Sequence, residues 1–142
     1  LWLSVIVAGL AVVTWISRRA VRRERSRCPE SEALYPECLH VVQITEQWIA
    51  VSRPDGASVN LPLADLTKVV VETNDSGPWG ADVLWHWYGS SLAVVCSYPQ
   101  GATGESAALA FLESLRGFND HELRKAMGCT SNRTFTVYER AA

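Results

Sequence analysis

Apolar and polar positions alternate in three different rhythms along the chain. Residues 1–17, LWLSVIVAGLAVVTWIS, are uncharged and apolar on every side, and they run straight into a tract of arginines. From residue 40 to residue 98 the apolar positions come in short runs with a period near two, each run closed by turn residues. Beyond residue 105 the spacing lengthens to that of a helix, and residues 133–139, RTFTVYE, return to alternation. These rhythms predict a spanning helix, a set of strands, two helices and a last strand.

A helix of seventeen residues reaches roughly 26 Å, close to the ~30 Å of a bilayer's hydrocarbon core. Nine of the seventeen are Leu, Ile or Val, which together favour insertion by roughly 3–5 kcal/mol. Trp2 and Trp15 lie near the two ends, where amphipathic rings suit the headgroup layer. Arg18, Arg19, Arg22 and Arg23 follow, and such side chains reach out of the hydrocarbon into the interface. A cleaved secretory signal carries its charge before the apolar run, and here the arginines come after it. A single-pass anchor at residues 1–17 is therefore expected in the inner membrane, with a basic collar and linker at 18–39 and one domain at 40–142. The positive-inside bias places the domain on the cytoplasmic side.

Within the domain, residues 40–45 (HVVQIT) and 48–53 (WIAVSR) have hairpin spacing, and Arg53-Pro54-Asp55-Gly56 is a turn signal. Further strands are predicted at 58–61, 66–73, 82–88 (DVLWHWY) and 92–98 (LAVVCSY). In LTKVVVET, Val69 and Val71 share one face while Lys68 and Glu72 share the other, so this strand has a wet side. Thr103 is expected to cap a helix over 105–115, with Ala108, Phe111, Leu112 and Leu115 on its buried face. Asn119 and Glu122 form a capping-box pattern for a second helix that ends at Gly128. The fold class that follows is α+β, a bent antiparallel sheet packed with two late helices and a final strand.

Charge divides the chain. Six of the 13 Lys and Arg lie in 18–27 beside Glu24 alone, leaving seven against 14 acidic residues in 28–142. The collar suits anionic lipid, whereas the acidic domain argues against nucleic acid as a ligand and in favour of a basic protein partner.

The run ITEQWIAVSRPDGASVNLPLADLTKVVVET, followed by GP, DVLW, PQGATGE and GF, resembles a group of small proteobacterial proteins without assigned function. More loosely it is similar to bacterial pleckstrin-homology-like domains, which implies a strongly bent antiparallel sheet capped by a C-terminal helix. Arg53, beside Asp55, does not make the basic pocket through which such domains hold phosphoinositides, so that ligand is not implied.

The candidate chemistry is sparse. Cys28, Cys38, Cys96 and Cys129 contain no C-x-x-C pair, Cys28 and Cys38 with His40 lack zinc spacing, and on a cytoplasmic side all four are expected to stay reduced. A Cys129–His121 dyad has nothing in the sequence to assemble it, and the glycine-containing stretch 101–106 lacks the Lys-Ser/Thr ending of a phosphate loop. No metal, cofactor or catalytic set is therefore expected. Trp79, Trp85, His86, Trp87 and Tyr88 are the candidate partner-contact residues, against the alternative that the 82–88 strand is simply core. The reading that results is a membrane-anchored, non-catalytic protein-interaction module. An immunity protein that neutralises a toxin is the alternative, and an enzyme is disfavoured for want of a visible nucleophile–base pair.

Overall fold

A computed structural model describes residues 36–76 and 80–142. The expected anchor at 1–17, with Trp2 and Trp15, lies outside the described residues, as do the collar arginines Arg18, Arg19, Arg22 and Arg23, and Trp79. Among the described residues no helix is long and apolar enough to cross a membrane.

Among the described residues, seven strands and two α-helices follow the predicted order. Strands β1 (Val41–Ile44), β2 (Trp48–Ser52) and β3 (Ser58–Pro62) pair antiparallel in sequence order. Strands β4 (Lys68–Thr73), β5 (Val83–Tyr88), β6 (Val94–Pro99) and β7 (Arg133–Glu139) form a second antiparallel sheet in the order β6-β5-β4-β7. The expected α+β class with antiparallel pairing is present, with the strands shared between two sheets. Helices α1 (Glu105–Ser114) and α2 (Asp120–Met127) lie between β6 and β7. α1 packs against β1, and α2 packs against β7 and β4.

The turns hold for the reasons their residues suggest. At Arg53-Pro54-Asp55-Gly56 the Asp55 carboxylate accepts from the Ala57 N–H at 2.9 Å, and Gly56 takes a φ of 89°, which is costly for any residue with a Cβ. Asn119 caps α2, its side chain accepting from the Glu122 N–H at 3.1 Å. The other expected cap is corrected. α1 begins after Gly104 in a left-handed conformation, and the buried Thr103 hydroxyl instead donates to Cys38 O at 2.8 Å, fastening the loop before α1 to the entry of β1.

The core is shared by both sheets and both helices. Val42, Ile49, Val51 and Leu61 come from the first sheet, Val69, Val71, Trp85, Trp87, Cys96 and Tyr98 from the second, Ala108 and Leu112 from α1, and Leu123 and Ala126 from α2. Phe111 and Leu115 pack against it, completing the α1 face expected from spacing. Trp85 and Tyr98 stack with ring centroids 6.3 Å apart, and Trp87 Nε1 donates to Tyr98 Oη at 3.3 Å. The indole N–H of Trp87 can be buried this deeply because the phenol oxygen accepts from it.

Candidate functional site

The period of two that buries Trp85 and Trp87 turns His86 to the opposite face of the same sheet. That face carries half-buried side chains from three neighbouring strands: Lys68 and Glu72 of β4, Leu84, His86 and Tyr88 of β5, and Ser97 of β6. The exposed Thr134 and Thr136 of β7 extend it, paired with Glu72 and Val70.

Register determines which of these side chains meet. His86 lies opposite Ser97. The Gln100 N–H donates to Val83 O at 2.9 Å, making that pair a hydrogen-bonded one. Counting two steps along this ladder to Trp85–Tyr98 and one more to His86–Ser97 reaches a pair of the non-hydrogen-bonded kind, in which facing side chains stand closest. On the other side His86 lies opposite Val70, so Glu72 is its diagonal neighbour, within reach of a long side chain. The result is a continuous chain of hydrogen bonds across β6, β5 and β4. Ser97 Oγ lies 2.9 Å from His86 Nδ1, and His86 Nε2 lies 2.9 Å from Glu72 Oε2.

The proton positions in this chain follow from the groups themselves. A carboxylate only accepts, so His86 Nε2 carries the hydrogen that faces Glu72. A neutral imidazole then has a bare Nδ1, which accepts from the Ser97 hydroxyl. The His86 side chain is 17% exposed and Glu72 is 45% exposed, so the imidazole is sheltered while the carboxylate stays hydrated. Beside them, Lys68 Nζ sits 4.6 Å from the centre of the Tyr88 ring, a cation–π contact that holds both side chains upright on the face.

Of the expected contact residues, His86 and Tyr88 lie on this open face. Trp85 and Trp87 do not. They are 2% and 0% exposed, so for them the alternative reading of a core strand holds, their place among the contact residues is corrected, and a partner cannot reach them in this fold. Ser97 and Glu72 were absent from the expected site. Their signal was the shared parity of polar positions in three strands, which becomes a cluster only once the register is known.

The other candidates resolve differently. Cys38 is disulfide-bonded, which removes it as a thiolate ligand and overturns the expectation that all four cysteines stay reduced. Cys96 is fully buried, and desolvation pushes its thiol up to about 11. Cys129 is half-buried, and its thiol is lowered to about 7, chiefly by the Ser131 hydroxyl, then by the Thr73 hydroxyl and the Ser131 backbone, with Arg133 adding its charge. No hydrogen bond joins it to His121, which is exposed on α2. The Gly101 N–H donates to Glu105 Oε2 at 2.8 Å, so the stretch before α1 supplies its own anion. Among the described residues no cluster of His, Cys, Asp and Glu is arranged to hold a metal ion.

The Ser97–His86–Glu72 chain thus joins a hydroxyl, an imidazole and a carboxylate in series. No family model matches the chain, and neither a curated protein nor a solved structure matches it.

Proposed function

We propose that the chain is a single-pass, membrane-anchored protein-interaction module whose contact surface is the outer face of β4, β5 and β6. The observation that carries this reading is that the polar side chains of this face are partly exposed yet already held in place. Ser97, His86 and Glu72 are linked in series and Lys68 rests on Tyr88, so a partner has less side-chain freedom to remove on docking. The excess of acidic over basic residues in 28–142 favours a basic protein as that partner. If the partner is a toxin, the chain is its immunity protein.

The test is capture of the full chain from its native membrane in mild detergent, comparing the unaltered protein with Tyr88→Ala and with Thr136→Glu on the same face. A stoichiometric basic partner, lost with both variants while the near-ultraviolet signal of the buried tryptophans persists, is the expected result. Undiminished capture by both variants removes this face from the reading.

The arginine collar orients the domain towards the cytoplasm, and the bridged Cys38 opposes that orientation, because disulfides persist on the oxidising side of a membrane. A reporter fused after Ala142, active on only one side of the membrane, decides between them.

A further inference from the structure

Beyond partner binding, we infer that Ser97 is a nucleophile for acyl transfer, with His86 as its general base and Glu72 as the residue that positions His86. The geometry has two of the relationships such chemistry requires. The nucleophile lies within hydrogen-bond distance of the base, and the base lies within the same distance of an acceptor that fixes its tautomer. The tautomer so fixed leaves the bare Nδ1 towards the serine, the arrangement that lets His86 take the Ser97 proton. Ser97 itself is only half-buried, and β6 is the edge strand of its sheet, so a substrate can approach it from solvent.

The substrate class is a small carboxylic ester whose acyl group rests on Leu84 and Tyr88, the apolar side chains that flank His86 along β5. Ser97 Oγ bonds to the ester carbonyl carbon while its proton passes to His86 Nδ1. The carbon–oxygen bond to the alcohol breaks, and the alcohol leaves with the proton returned by His86. Water then adds to the acyl-serine with His86 again taking a proton, and the carboxylic acid leaves as Ser97 regains its hydrogen. Glu72 remains a carboxylate throughout and holds the imidazolium formed in each half. The backbone N–H groups of β6 lie in the plane of the sheet rather than over Ser97, so the developing oxyanion has no backbone cradle and turnover is expected to be slow.

This inference does not depend on the partner, and its readout is separate from capture. The full chain in detergent is treated with a fluorophosphonate, in which the Ser97 oxygen replaces fluoride on phosphorus, and the adduct is located by mass spectrometry of its peptides. The expected result is an adduct at Ser97 in preference to the exposed Ser90 and Ser91, absent from Ser97→Ala. Labelling slows about 100-fold or more in His86→Gln, and slows to a lesser degree in Glu72→Gln. Near-ultraviolet circular dichroism of Trp85 and Trp87 checks that each variant is folded, and Glu72→Gln serves alone if His86→Gln is not. Labelling of Ser97 no faster than of Ser90, or a rate that His86→Gln and Glu72→Gln leave unchanged, overturns the proposal.

Discussion

The two faces of the sheet formed by β4, β5 and β6 are built from alternating residues of the same three strands, and they do opposite things. The inner face, with Val69, Val71, Trp85, Trp87, Cys96 and Tyr98, is dry, stacked and almost without exposure. The outer face, with Glu72, His86 and Ser97, is largely polar, half-buried and joined by hydrogen bonds. Burial of large aromatic side chains fixes the strands and their register, and that register sets three polar groups in a row on the other side. The inner face therefore stabilises a geometry that the outer face uses.

The separation can be tested by breaking each face in turn. Trp87→Ala removes a fully buried ring and strands the Tyr98 hydroxyl, and it is expected to cost about 3–5 kcal/mol in denaturant unfolding. His86→Ala, one residue away, removes two hydrogen bonds on a solvated face and is expected to cost about 1 kcal/mol. A His86 variant as damaging as the Trp87 variant would show that the outer chain is part of the fold's support.

Alkaline pH probes the inner face without mutation. The folded-state Cys96 thiol is raised to about 11 by burial, so between about pH 9 and 11 the unfolded chain loses its proton first and stability falls as pH rises. Cys96 is expected to contribute about 1–2 kcal/mol to that fall. Tyr98, also raised by burial, continues it at higher pH. Cys96→Ala is expected to make the decline between pH 9 and 10 shallower than in the unaltered chain.

Two smaller effects sharpen the contrast between sheltered and open positions. Leu92 is 75% exposed at the tip of the β5–β6 hairpin with a φ of 58°. A left-handed leucine is strained, so Leu92→Gly is expected to raise stability by up to about 1 kcal/mol, read as a higher melting temperature. Iodoacetamide is expected to alkylate Cys129 with half-maximal rate near pH 7 while Cys96 stays unmodified until the domain unfolds. Equal labelling of the two cysteines would contradict the burial assigned to the inner face.

Much of the local structure was readable from the sequence because its causes are local. The Asp55-Gly56 turn, the Asn119 cap and the α1 face of Ala108, Phe111, Leu112 and Leu115 each depend on residues within a few positions of one another. The role of Thr103 is not legible locally because its partner, Cys38 O, is 65 residues away. The strand expected from Leu92 starts at Val94, since the chain reverses through Leu92 in a left-handed conformation that a leucine does not advertise. The candidate site was illegible for a related reason. Glu72 and Ser97 stand 14 and 11 residues from His86, and a one-residue slip in either ladder would send one of them to the core side. The alternation in DVLWHWY showed that His86 and the two tryptophans face opposite ways, but which face was buried depended on the packing of Tyr98, Leu112 and the first sheet.

The tautomer of His86 decides whether Ser97 can pass its proton, because one ring nitrogen has to be committed to Glu72 and the other free to accept from Ser97. Nitrogen NMR of the full chain in detergent, labelled at histidine and read at neutral pH, distinguishes the two ring nitrogens. Proton transfer from Ser97 to His86 requires a hydrogen on Nε2 and a bare Nδ1, with the Nδ1 signal moving in Ser97→Ala. A hydrogen on Nδ1, or an averaged imidazole that does not respond to Ser97→Ala, would contradict it.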